Sequence, residues 1–406
     1  MQRCHVLLPI KPVHMDVRSF TQGDAVSPDA DNLSREGSNM QIALTRKLAD
    51  AAGIKCVPPM AGADPLFSWT ANWTNTFDRR KEDMVILVNS ATRFTVSVYG
   101  MKRGKLKDLK PVMLSAVRNT LLAMHIDPEV VEEYMRQAGE PVFITNHDRK
   151  LTAWLNHQGL DAAFVVADAV NETAGKMKFN DTLGRMVSRR IVNYSGPSAE
   201  IFVPAEEMIK ALAQRTGKPV FRYKAFELLV ALDLEVYSAT RRVIVPANIA
   251  LTQLHDLIQA LFNWENRHLH SFTFTDSSGS LPDARLVMSE EDRRYDPEAI
   301  LETGHRLSGF FPKYREMVYT YDLGDNWEHT VELVREIDEY SEESPYLLEA
   351  SGQAPPEDVG GVPGYLEFLD IMGERKHPEH EQMKAWAGYW TPVLSDWEAK
   401  PRFIPV

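Results

Sequence analysis

Apolar residues along this chain recur with two periods, one helical and one alternating, and they sort it into two halves. From Met40, "MQIALTRKLADAAGI" has apolar residues at helical intervals and stops at Gly53, which predicts a helix closed by a glycine. "DMVILVN" and "RFTVSVYG" are β-rich. In the second, Phe94, Val96 and Val98 alternate with Thr95 and Ser97, and the intervening "SAT" has hairpin length. "DLKPVMLSAVRNTLLAMHI" returns to helical spacing through Val112, Val117, Leu121 and Met124, with Asp108 placed to cap it and Pro111 in its first turn. Two more helices are expected at "PEVVEEYMRQAG" and "RKLTAWLNHQGLDAAFVVADAV". These elements define an α+β unit over residues 40–195.

The turn-rich stretches "NYSGPSAE" and "RTGKP" flank "EEMIKALAQ", so a short helical connector is expected over 196–221. A second α+β unit follows over 222–406. "AFELLVALDL" and "RRVIVPA" are strands, and "IALTQLHDLIQALFNW" is an amphipathic helix with apolar positions 254, 257, 258, 261 and 262. In "HLHSFTF", strand alternation puts His268, His270, Phe272 and Phe274 on one face. In "YTYDLGDNWEHTVEL", Leu323 to Asn326 make a hairpin connection, and Trp327, His329, Val331 and Leu333 share a face opposite Glu328, Thr330 and Glu332. Three histidines, His268, His270 and His329, are thus expected on the inner side of neighbouring strands. Residues 1–39, with "FTQGDAVSPDADNLSREGSN", show no apolar period and are expected to form a flexible arm.

Composition agrees with two domains, since 406 residues at 44% hydrophobic exceed what one core usually organises. The only two cysteines, Cys4 and Cys56, lie outside any CxxC spacing, which argues against a disulfide framework or a zinc ribbon and for a reducing, cytoplasmic setting. No apolar run reaches membrane-spanning length and no signal peptide is expected. The net charge of −12 is uneven, with about +4 over the first 220 residues and about −16 over the rest. Nucleic acid could therefore be met only through the more basic first domain, whose runs "DRRK", "KRGKLKDLK" and "RMVSRR" otherwise read as solvated faces. Phosphate-loop, dinucleotide, nucleophile-elbow and HExxH motifs are absent.

The succession "VIVPANIALTQLHDLIQALFNWENRHLHSF", "YTYDLGDNWEHTVEL", "PPEDVGGVPGY" and the late tryptophan of "MKAWAGYW" resembles the family named after the third open reading frame of the Agrobacterium Ri plasmid, over roughly residues 222–400. Its members are often labelled transposon-passenger or TnpR-like proteins. The resemblance implies a curved, mainly antiparallel sheet with packed helices, an uncharacterised function and an association with mobile elements. Where relatives tend to carry cysteines beside the Pro-Pro-Glu-Asp motif, this chain has Ala354 and Val359, and "YSATRR" replaces a usual Pro-x-x-Trp-Arg pattern. The first domain, with "SWTANWTNTFDRRKEDMVILVN", is similar to a bacterial domain of unknown function.

The candidate chemistry lies in the second domain. His268, His270 and His329, with Asp322 and Asp325, are residue types that bind zinc or manganese, and an open coordination position would activate water. The competing reading has each histidine hydrogen-bonded inside the core, to a carboxylate such as Asp322. In the "PPEDVGGVPGY" loop, stiffened by Pro355 and Pro356 and made tight by Gly360, Gly361 and Gly364, Glu357 and Asp358 either face the same cleft or cap the following turn. His377 and His380 read as a surface pair. Two function classes remain: a non-enzymatic binding or adaptor module for a protein or small ligand, and a metal-assisted hydrolase or nuclease.

Overall fold

The structure is a computed structural model that describes residues 40–76, 81–173, 180–189, 192–193, 201–275, 282–294 and 296–404. The arm expected over 1–39 lies outside them. The N-terminal domain has strands β1 (Gln41–Leu44), β2 (Ser68–Thr74), β3 (Met84–Asn89), β4 (Thr95–Tyr99) and β5 (Val142–Thr145) in the order β4-β3-β2-β1-β5. β1 pairs in parallel with both β2 and β5, whereas β2, β3 and β4 form antiparallel neighbours. Its helices are α1 (Arg46–Ala52), α2 (Leu109–Ala123), α3 (Pro128–Ala138), α4 (Arg149–Thr173), α5 (Asn180–Ser188) and α6 (Pro204–Thr216), with a small pair, β6 (Val192–Asn193) and β7 (Ile201–Phe202), before α6.

β3 is buried along its whole length because helices cover both faces of the sheet. Val85 and Leu87 join a core with Met113, Val117 and Leu121 of α2, while Met84, Ile86 and Val88 join one with Leu155 and Val166 of α4. Local chemistry fixes the helix ends. Asp127 accepts from the Glu129 amide at 2.8 Å with Pro128 beginning α3, and Gly53 and Gly217 close α1 and α6 in the left-handed conformation.

Two expectations change in this half. The stretch after Met40 is a strand followed by a helix. Gln41 to Leu44 are buried between β2 and β5, so pairing on both sides overrides the helical spacing. Asp108 makes no capping bond; a 3₁₀ turn over Arg103–Asp108 leads into α2 instead. The helix expected in the connector, α6, buries Ala205, Met208 and Leu212 in the first core.

The C-terminal domain is one curved sheet with helices against it. It contains β8 (Tyr223–Asp233), β9 (Ser238–Pro246), α7 (Leu251–Phe262), β10 (His270–Thr275), β11 (Pro282–Val287), β12 (Ile300–Leu301), β13 (Glu316–Tyr321), β14 (Trp327–Tyr340), β15 (Tyr346–Ser351), α8 (Gly361–Gly373), α9 (His380–Ala387), β16 (Glu398–Ala399) and β17 (Arg402–Phe403). The order is β12-β11-β10-β13-β14-β8-β9-β15-β16, with β17 also on β15, and apart from the parallel β11–β12 pair the neighbours are antiparallel. α7 buries Leu254, Leu257, Ile258, Leu261 and Phe262 against this sheet, and Asn263 ends it in the left-handed region. On β14 the predicted alternation holds: Trp327, His329, Val331 and Leu333 are buried and Glu328, Thr330 and Glu332 are exposed. "PPEDVGGVPGY" is a loop only as far as Gly360; from Gly361 it is the first turn of α8, with Pro363 where a missing amide hydrogen costs nothing. Among the described residues no helix is long and apolar enough to cross a membrane.

Candidate metal centre

Three chain segments meet at the ends of the neighbouring interior strands β10 and β13. The first is the end of β13, where Asp322 takes a φ of 54° and its amide donates to the Leu269 carbonyl at 2.9 Å. Its Oδ1 accepts from the amides of Gly324 (2.9 Å) and Asp325 (3.3 Å), an Asx arrangement that closes the hairpin turn. Oδ2 then points toward His268, 3.5 Å from Nδ1.

The second segment leads into β10. The strand begins only at His270, because Asn263 and Asn266 adopt positive φ values of 60° and 55° and bend the chain before it. His268 therefore lies in the turn. Its side chain is 29% exposed, whereas alternation had placed it on the inner face. The third segment is the loop from Ala354 to Gly360. Trp264 Nε1 donates to the Pro355 carbonyl at 3.1 Å, and the Gly360 amide donates to Asp325 Oδ2 at 3.0 Å. Glu357 accepts from the Glu265 amide at 2.8 Å and from the Tyr321 hydroxyl. Burial and that carboxylate push the Tyr321 phenol up. So anchored, the loop sets Asp358 Oδ1 2.7 Å from His268 Nε2.

Among the described residues, His268, Asp322 and Asp358 are the group able to hold a metal ion, with ligand atoms all within 4.8 Å of one another. The donor chemistry fits, since one imidazole and two carboxylates suit zinc or manganese. His268 lies between the acids, Nε2 toward Asp358 and Nδ1 toward Asp322, so holding an ion at about 2.0–2.2 Å would require the three side chains to rearrange around it. Asp322 Oδ1 is held by two amides and keeps Oδ2 for the ion, while Asp358 is 46% exposed and faces solvent.

The remaining predicted residues go elsewhere. Asp325 and Glu357 are taken up in anchoring the loop. His270 is buried on β10, with Nε2 2.8 Å from Glu302 Oε2 and Nδ1 without a partner. His329 is fully buried beside Phe262, Trp264 and Tyr319. Its Nδ1 donates toward the carbonyls of Trp327 (3.1 Å) and Tyr319 (3.3 Å), which leaves Nε2 unpartnered. Burial lowers its pKa to about 3, so it is neutral at pH 7. His377 accepts from the Glu379 amide, and His380, expected at the surface, is buried with Nδ1 3.0 Å from the Ile371 carbonyl.

His255 on α7 went unnoticed in the sequence. Its ring stacks on His270 with centroids 3.6 Å apart and planes 7° from parallel. Nε2 donates to Asn266 Oδ1 at 2.7 Å, and Nδ1 accepts from the Tyr319 hydroxyl at 2.7 Å, which in turn accepts from Gln259 Nε2. Burial, then His270, lowers its pKa to about 3. One signal was available: position 255 falls four residues after Leu251 and three before Ile258, on the helix's buried face.

A curved antiparallel sheet with this loop-and-turn site defines an α+β protein of two domains, with its metal-capable residues at the strand ends of the second. Residues 224–399 match the family described as plasmid pRiA4b ORF-3-like protein, and residues 41–206 match a domain of unknown function, DUF6933. The uncharacterized protein y4hQ of Sinorhizobium fredii is 37% identical over 163 residues, covering 40% of this chain and 79% of the relative. A crystal structure of a protein of unknown function from Methanosarcina mazei Go1 is 30% identical, covers 45% of this chain and 96% of the other, and superposes with a TM-score of 0.38. The chain belongs to the plasmid pRiA4b ORF-3-like family through its C-terminal domain.

Proposed function

We propose that the C-terminal domain is a non-enzymatic binding module whose ligand is a divalent cation, zinc or manganese, held by His268, Asp322 and Asp358. The observation that carries this reading is the meeting of those three side chains from three separate segments, with Asp322 fixed by two backbone amides. An ion there would join the hairpin turn to the loop and order the surface around Asp358 for a partner.

Binding is preferred to hydrolysis because the groups that could serve as a general base are already committed. Glu357 is engaged by Tyr321 and Glu265, His255 is hydrogen-bonded at both ring nitrogens, and His329 is fully buried among Phe262, Trp264 and Tyr319, away from the three residues. The exposure of Asp358 supports a second reading, metal-assisted hydrolysis, because solvent has access to the ion's outer side.

Urea unfolding with added zinc or manganese tests the proposal. At a hundred times its Kd the ion should stabilise the protein by about 2.7 kcal/mol, and Asp358→Asn should abolish the gain. A wild-type protein whose midpoint ignores both ions contradicts it. Phosphodiester turnover by the loaded protein, lost in His268→Ala, would select the second reading.

A further inference from the structure

The N-terminal sheet is covered unequally. α4 crosses β2 and β3, where Asn72 meets Asn156 at 3.4 Å and Ile86 packs in one cluster with Leu155. β1 and β5 lie beyond it and leave an open trough of about 650 Å³. Under α4 the sheet presents Met84, Ile86 and Val88, and the trough floor sets Gln41, Ser68 and Thr70 beside the apolar Ala43, Trp69 and Ile144. These polar groups are at most 8% exposed. Gln41 is fixed, donating to Ser68 Oγ at 3.0 Å and accepting from the Met60 amide at 3.2 Å. Ser68 Oγ in turn donates to the Asp64 carbonyl at 2.9 Å, so Gln41 and Ser68 are satisfied within the fold and the floor suits a ligand with an apolar body.

β1 and β5 are parallel neighbours, but their following helices take opposite faces: Leu48 of α1 packs with Trp69 and Ala71, whereas Leu151 of α4 packs with Ile86, so α1 does not cover the trough's face.

The mouth carries charge. Arg149 and Lys150 are exposed and line the trough, and neither has an ion-pair partner among the described residues. Asp148 is committed to α4, its Oδ1 accepting from the amides of Lys150 (2.8 Å) and Leu151 (2.9 Å). An incoming anion would therefore meet the two cationic side chains rather than the helix amides.

We infer that this trough binds a small organic anion, a carboxylate or phosphate ester up to mononucleotide size, with its body against Ala43, Thr70 and Ile144 and its charge at Arg149 and Lys150. The site is independent of the metal centre.

Isothermal titration with adenosine monophosphate and with glutarate tests it and separates the two anion sources. At least one probe should bind, more weakly as salt rises. The exposed double variant Arg149→Ala/Lys150→Ala should weaken it tenfold or more, Thr70→Val should weaken it severalfold, and Asp358→Asn should leave it unchanged. The inference is overturned if neither probe binds, if the double variant binds as well as wild type, or if Asp358→Asn abolishes binding.

Discussion

His268 and Asp358 are 90 residues apart in the chain and 2.7 Å apart in the fold. The contact depends on Asp358 being delivered by a loop with little freedom of its own. Pro355, Glu357 and Gly360 each bond to a different partner, on Trp264, Glu265 with Tyr321, and Asp325. The site is thus a property of how the loop docks on the hairpin turn.

Docking requires a glycine at 361. Its φ is 66°, and a Cβ there would sit 2.5 Å from the Asp325 carbonyl oxygen, which is backbone and cannot swing away. Gly361→Ala should destabilise the protein by at least about 2 kcal/mol in urea unfolding and weaken zinc binding, because the loop carrying Asp358 must lift. Unchanged stability would show that the loop does not pack this closely.

Acid should act on the buried imidazoles. His255 and His329 sit at about 3, against 6.5 for the ordinary group, with burial as the main cause. Between those values the unfolded chain takes up protons that the folded chain refuses. Their contribution is therefore complete above about pH 6.5 and is lost progressively as pH falls toward 3. From pH 7 to pH 5 each histidine should account for about 2 kcal/mol of lost stability. His329→Phe keeps a ring beside Phe262 and Trp264 and should flatten that fall measurably, whereas an unaltered pH profile would contradict the assignment.

Arg241 should not tolerate lysine. It is 1% exposed; Nε donates to the Leu261 carbonyl at 2.9 Å, and one terminal nitrogen reaches the carbonyls of Thr240, Ser351 and Gly352 at 2.8–3.0 Å. Its guanidinium lies 4.6 Å from the ring centre of Phe262 and 4.4 Å from that of Trp397. Burial lowers its pKa to about 10, so it stays charged at pH 7. An ammonium cannot reproduce this planar fork, and Arg241→Lys should cost about 2–4 kcal/mol by urea unfolding; a cost near zero would mean the carbonyls are served by water.

Alternation was legible wherever a strand had one wet face. It placed His270 and His329 inside and Glu328, Thr330 and Glu332 outside. It failed at His268, two residues before the strand starts, because the left-handed turns at Asn263 and Asn266 carry no apolar period. Asp322 and Asp358 were recognisable as turn or loop acids, but their convergence on His268 is set by long-range docking and leaves no local signature. The same limit hid β1, whose four residues look helical until two partner strands are known, and the His255–His270 stack, which joins a helix to a strand.

Equilibrium dialysis against zinc, with metal content measured per chain in wild type, His268→Ala and His329→Phe, tests the central claim most directly. The metal centre predicts one ion per chain in wild type and in His329→Phe and none in His268→Ala. A wild-type protein that retains no zinc, or an ion lost from His329→Phe but kept by His268→Ala, would contradict it.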